Sequence, residues 1–256
     1  MKGGTTMSFR TLMYHEIREK ASFDPEHPSS IDVKQGYQDV LPSPLFVTLE
    51  HFEEQMAYLY HNHFHTLSLK EVKDYYYNNT PLPPRSVLLT FDDCYQSVKK
   101  YAYPILKKYG FHAVAFVVSG WLHDKPKEFN PDQSVCMAKQ ELAELMDVFE
   151  FANHTDTYHS RSSNTTSIIM TASDDAFAKD LESCNANDTI TEKDVFAYPF
   201  GLFEPRNTNL LKCKGFLLAF TSKPGFNDQT TDPLLLNRDA IPYFITLDEF
   251  KQKITE

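Results

Sequence analysis

The sequence predicts a parallel α/β fold of barrel type, and three observations predict it. Short apolar runs of strand length alternate with helically periodic segments from end to end, and polar residues recur where the apolar runs stop. No G-x-G-x-x-G or Walker pattern appears, which disfavours the nucleotide-binding open sheets.

The elements follow in order. Residues 9–17 read as a first strand with His15 near its end, where a histidine is either satisfied in the core or part of a site. Residues 20–47 carry Pro25, Pro28, Pro42 and Pro44 without periodicity, a long loop that either walls a substrate groove or crosses the surface. Phe52, Met56, Leu59 and Tyr60 at helical spacing, after Thr48 as N-cap, predict a helix over 48–60. His61, His63 and His65 alternate toward a short strand at 64–67, which would set them on one face, although no strand-end carboxylate accompanies them. Ser68 and Glu71 form a capping box for a helix reaching Tyr77.

Residues 87–91 are a wholly apolar run of β-formers that stops at Asp92 and Asp93. Residues 95–109 then repeat apolar positions at helical spacing and stop at Gly110, so the two carboxylates occupy a strand-to-helix turn. Residues 112–118 form another apolar strand, followed by Trp121, placed to stack on a sugar ring or to pack. A helix over 138–149 leads into a strand that runs to His154 and His159. A polar stretch over 160–172 precedes a helix over 174–184. A strand over 195–201 ends in a turn fixed by Pro199 and Gly201, and a helix over 206–214 follows it. Strands over 216–221 and 234–238 and a helix capped by Thr246 with Glu249 complete the alternation.

The 256 residues are 41% hydrophobic and 23% charged, ample for one sizeable core. The formal net charge of −10 argues against nucleic acid or an anionic membrane surface as partner. No apolar run approaches the roughly 20 residues that span a bilayer, and residues 1–10 hold no signal core. The chain as given therefore reads as cytoplasmic, or as extracytoplasmic if a leader has been trimmed, with residues 1–8 themselves a leader or expression remnant. Cys94, Cys136, Cys184 and Cys213 show neither C-x-x-C nor zinc-ribbon spacing and read as free thiols.

A single aspartate at a strand-to-helix turn would read as a helix cap. Two like charges at the mouth of an apolar strand repel and resist burial unless a cation or a proton lies between them. His154 and His159 would stand about 140° apart on a helix, so they must meet from a loop. Two imidazoles and one carboxylate make a ligand set with open positions, suited to zinc or another first-row divalent ion, while the second carboxylate stays free as a base.

Thr90-Phe91-Asp92-Asp93, His154-Thr155 with His159, and Ala197-Tyr198-Pro199-Phe200-Gly201 resemble the successive motifs of the polysaccharide deacetylase family, also called the NodB-homology or carbohydrate esterase family 4 domain. Leu12-Met13-Tyr14-His15 is similar to the circularly permuted poly-N-acetylglucosamine deacetylase branch, in which the acid histidine comes first. The resemblance implies a distorted (β/α) barrel with mostly parallel strands, spanning residues 1–256 as one domain. It also implies a metal-dependent hydrolase that removes N-acetyl groups from N-acetylglucosamine-containing polysaccharide or oligosaccharide and releases acetate.

By the same resemblance one divalent ion, zinc first and cobalt, nickel or manganese as alternatives, is held by Asp93, His154 and His159. Asp92 is the general base, His15 the general acid, and the Tyr198 backbone N–H a donor to the oxyanion. Cys94 stands where the family usually has glycine. The arginine that many members carry before the Tyr-Pro motif is missing, so Arg238, at a later strand end, is expected to orient Asp92. Trp121, Pro199 and Phe200 are the expected substrate contacts. The expected partner is an N-acetylated carbohydrate, with no nucleic acid and no membrane span. Two other readings fit the same residues: an amidohydrolase of this architecture acting on a small cytoplasmic amide, and a non-catalytic carbohydrate-binding relic, against which stands the retention of ligands, base and acid.

Overall fold

The computed structural model describes residues 7–255. Six strands lie side by side in chain order, each paired parallel with the next: β1 (Phe9–Tyr14), β2 (Ser86–Asp92), β3 (Ala113–Val117), β4 (Phe149–Asn153), β5 (Glu192–Ala197) and β6 (Leu218–Phe220). A short β7 (Asp239–Ala240) pairs parallel with β1, and Leu236 just before it bridges to Phe220, so residues 236–240 close the ring. Among the described residues only Phe226–Asn227 adds an antiparallel partner to this sheet, at the start of β1. This is the parallel barrel that the alternation of elements predicts, in the distorted form that the resemblance implies. Of the expected leader, residues 1–6 lie outside the described residues, while the Met7 carbonyl accepts a hydrogen bond from Tyr75 Oη at 2.6 Å. No helix among the described residues is long and apolar enough to cross a membrane.

β2 is buried at every position, which is why its sequence is an unbroken apolar run rather than an alternating one. Its two faces still differ. Val87, Leu89 and Phe91 pack outward with α1 (Leu49–His61) and, beyond α2 (Leu69–Asn78) in the chain, with α3 (Tyr103–Tyr109), together with Phe52, Met56 and Leu106. Leu88 packs inward with Val114, Phe116, Ala152, Ala197 and Phe220 to fill the barrel. Period-two alternation then sends Thr90 and Asp92 inward as well, so the last residue of β2 delivers a carboxylate to the C-terminal mouth.

Several elements differ from expectation for local reasons. The helix expected over 95–109 opens with a wide π-type turn at Val98–Ala102, because Pro104 lacks the N–H that would continue the α pattern. The helix expected over 138–149 is only α4 (Lys139–Ala143). β1 stops at Tyr14, and Glu16–Arg18 pairs instead with Phe46–Thr48, leaving His15 at the switch between two sheets. The long loop contains Ser29–Asp32 and Val40–Leu41, which join Ser134–Val135 in a small sheet. The buried Glu16 carboxylate fastens that sheet by accepting from Arg18 at 3.0 Å and from Ser134 at 2.6 Å. The expected alternation of His61, His63 and His65 is broken: His61 ends α1, His63 is left-handed at φ 58°, and only His65 lies in a strand, bonded to Glu71 at 2.7 Å.

Candidate active site

After Asp92 the chain turns through two consecutive left-handed residues, Asp93 at φ 73° and Cys94 at φ 56°. Glycine takes this conformation freely, whereas each L residue costs about 1–3 kcal/mol. Hydrogen bonds on both sides hold it: Asp93 N–H donates to Phe116 O at 3.1 Å, and Met137 N–H to Cys94 O at 2.9 Å. The turn separates the two carboxylates, so that Asp92 faces the barrel and Asp93 faces the histidines.

Arg238 holds Asp92 in a bidentate pair, Nη1 to Oδ1 at 2.7 Å and Nη2 to Oδ2 at 2.9 Å, while its Nε donates to Thr221 O at 2.8 Å. Both residues are buried. Burial alone would raise the Asp92 pKa, but the Arg238 charge, helped by His154 and His15, outweighs it and holds the carboxyl well below its usual range. Asp93 is the opposite case. Burial and the neighbouring Asp92 charge push its pKa well above the usual range, and its Oδ1 has no hydrogen-bond partner.

That orphaned oxygen faces two imidazoles, His159 Nε2 at 3.5 Å and His154 Nε2 at 3.6 Å. His154 Nδ1 lies 2.8 Å from Ala197 O and donates to it, leaving the Nε2 lone pair free. Burial lowers the pKa of both histidines, keeping them in the neutral form that binds metals. Donors about 3.3 Å apart surround a tetrahedral ion at 2.0–2.1 Å, so this set fits a divalent cation. Such a cation would also answer the unpaired Asp93 oxygen.

His15 completes the group, its Nε2 lying 3.7 Å from Asp92 Oδ2. Burial lowers its pKa to about 4, so the ring is neutral at rest. The structure thus brings Asp92, Asp93, His15, His154, His159 and Arg238 together at one end of the barrel.

Tyr198 requires correction. Its backbone N–H donates to Phe220 O at 3.0 Å within the β5–β6 ladder, and its hydroxyl lies 3.0 Å from both Thr208 Oγ1 and Leu234 O, so neither group is free for an oxyanion. The next available N–H is two residues on, past Pro199, at Phe200, which is left-handed at φ 59° and lines the cavity over Asp93. Pro199 itself is buried. Trp121 offers no open face for a sugar: it is 1% exposed, and its ring packs edge-on against His159 at 4.6 Å. Phe200 packs against the same imidazole at 4.5 Å, and the two rings together orient the one candidate ligand whose Nδ1 has no partner among the described residues.

Sequence reasoning missed the residue that shapes the loop between the histidines. Asp180, on α5 (Asp174–Ala186), accepts from Asp156 N–H at 2.9 Å, Thr157 N–H at 2.8 Å and Thr157 Oγ1 at 3.1 Å. The opposite side of the loop is fixed by Gly120 N–H to Asp156 O at 2.9 Å, an approach so close that a Cβ on Gly120 would lie 2.6 Å from that oxygen. Asp180→Asn, with one acceptor oxygen in place of two, is expected to weaken metal affinity roughly 10- to 100-fold with the fold retained. Chelator competition measures this, and unchanged affinity would show that the loop holds its shape without the clamp.

A parallel barrel whose C-terminal mouth gathers two carboxylates and three histidines defines a hydrolytic enzyme of the acyl-cleaving kind. The family described as polysaccharide deacetylase matches residues 79–218, and the chain belongs to that family. The matched stretch holds Asp92, Asp93, His154 and His159 and leaves His15 and Arg238 outside it. The chain is 31% identical over 218 residues, 81% of its length and 73% of the relative's, to a poly-beta-1,6-N-acetyl-D-glucosamine N-deacetylase of Staphylococcus aureus. It is 26% identical over 245 residues, 91% of its length and 81% of the relative's, to the protein of that name in Staphylococcus epidermidis. The fold is shared with the Streptococcus pyogenes deacetylase PplD (TM-score 0.76, 22% identity, 98% of this chain and 100% of that one). It is shared also with IcaB from Ammonifex degensii (TM-score 0.72, 23% identity, 96% and 95% coverage).

Proposed function

We propose that this enzyme, a carbohydrate N-deacetylase by family, removes N-acetyl groups from a polymer or oligomer of N-acetylglucosamine and releases acetate, with a divalent ion, zinc first, held by Asp93, His154 and His159. The observation that carries the reading is the buried, unpartnered Asp93 oxygen facing two neutral imidazoles, beside a second carboxylate kept ionised by Arg238. A β-1,6-linked substrate is supported by the names of the Staphylococcus relatives.

When bound, the ion supplies Lewis-acid polarisation of the acyl carbonyl and acidification of the attacking water. The chain's own groups move the protons. Asp92, anionic at rest, accepts the water's proton at the carboxylate; the same Arg238 pairing that keeps it ionised also makes it a weak base. Neutral His15, 3.7 Å from Asp92 Oδ2, is placed to carry a proton on to the departing amine. The Phe200 N–H is the backbone donor available to the oxyanion.

His15→Ala is expected to slow an acetamide sugar about 10²- to 10⁴-fold while barely affecting an activated nitrophenyl acetate, whose leaving group needs little protonation. Parallel kinetics on the two substrates, with metal content held equal, measure this. Equal losses on both would assign His15 to packing or positioning.

A further inference from the structure

The two oxygens of Asp93 stand in different states. Oδ1 has no hydrogen-bond partner and lies 3.5 Å from His159 Nε2 and 3.6 Å from His154 Nε2, whereas Oδ2 accepts from the Tyr95 hydroxyl at 3.2 Å. Tyr95 is fully buried in the outer core with Cys136 and Met137, so packing holds its ring against the carboxylate.

The backbone around this contact is pinned independently of it. Tyr95 pairs with Cys136 in an antiparallel bridge, Met137 N–H donates to Cys94 O at 2.9 Å, and Cys136 Sγ donates to Asp93 O at 3.3 Å. Residues 136 and 137 thus set the path of the turn, and the Tyr95 hydroxyl sets what the Asp93 carboxylate can do. A carboxylate can give an ion one oxygen or both. Catalytic sites keep positions open for water and substrate, and the cavity over Asp93 and His159 is about 80 Å³, two to three times the roughly 30 Å³ that one water occupies in the liquid. A second Asp93 oxygen on the ion would take a position that so small a space must leave to the reactants.

Resting on the metal site proposed above, we propose that Tyr95 is a positioning residue that fixes how Asp93 binds: its hydroxyl occupies Oδ2, so the carboxylate offers the ion Oδ1 alone and a coordination position stays open for the reactants. Without the hydroxyl, Oδ2 is a buried acceptor with no donor among the described residues, and the ion is the partner left to it. Tyr95→Phe deletes that donor and keeps the ring that packs in the core.

Cobalt(II) reads the difference, because its visible absorption is strong with four donors and weakens as further donors are added. Wild type, Tyr95→Phe and Cys136→Ala are loaded with cobalt, their spectra compared at equal ion content per chain, and acetate release measured on a β-1,6-linked N-acetylglucosamine oligomer. Tyr95→Phe is expected to lose visible absorption and to lose about 10- to 100-fold in turnover, through kcat rather than KM. Cys136→Ala, which frees the Asp93 carbonyl and leaves the Tyr95 contact in place, is expected to keep the wild-type spectrum. An unchanged spectrum or an unchanged kcat in Tyr95→Phe, a Tyr95→Phe protein that takes up no cobalt, or an equal spectral loss in Cys136→Ala would overturn the proposal, the last by assigning the effect to a loosened turn. In each of these cases the wild type still holds its ion and the deacetylase reading stands, whereas a wild type that binds no cobalt overturns the metal site as well.

Discussion

Replacing His154 with alanine is expected to leave a folded protein that has lost most of its divalent ion. The ion would keep Asp93 and His159 alone, and the loss should exceed the roughly 10- to 100-fold typical of changes one shell further out. His154 donates through Nδ1 to Ala197 O and reaches Asp93 through Nε2, so alanine deletes a ligand while β4 and β5 keep their own pairing. Elemental analysis after dialysis reads the outcome. Full occupancy would place the ion elsewhere.

Asp92→Asn is expected to retain the ion and lose about 10²- to 10⁴-fold in deacetylation, because an amide of the same shape cannot take the water's proton. The substitution has a second consequence, in stability. It leaves the Arg238 guanidinium buried without a counter-charge, and breaking a buried pair from one side costs about 3–5 kcal/mol, somewhat less here because the Asn oxygen still accepts one bond. A lower melting temperature should therefore accompany the lost activity, and the assay belongs well below that melt. Near-normal turnover, or loss of the ion, would show that the two carboxylates do not divide the work in this way.

Much of this site is legible in the sequence because it sits on elements whose patterns are strong. The unbroken run of β2 identifies a strand buried on both faces, and its abrupt end in two acids marks the barrel mouth. Arg238 follows from the resemblance, because the arginine that many members carry before the Tyr-Pro motif is missing and this one stands at a later strand end, although its segment is a closing edge rather than the strand expected over 234–238. Tyr198 shows the limit of a motif. It names a residue, but which N–H remains free depends on the ladder register, which Ala197 and Phe220 fix only when paired.

The loop over 20–47 conceals its strands because pairings two to four residues long carry no measurable period. Two signals were present and passed over. Pro104 sits inside the expected helix, and Asp180 lies on the stripe of α5 that otherwise buries Phe177, Leu181 and Cys184. An acid on an apolar stripe must find donors, and it finds them in the histidine loop.

The central claim is that Asp93, His154 and His159 hold the ion on which deacetylation depends. Metal content and acetate release from a β-1,6-linked N-acetylglucosamine oligomer, measured together on the wild type before chelation, after it and after zinc is returned, with His154→Ala alongside, test it most directly. The account predicts one ion per chain, activity that vanishes with the ion and returns with one equivalent, and a variant deficient in both. Acetate release that persists in the stripped wild type, or in a variant without metal, would contradict it.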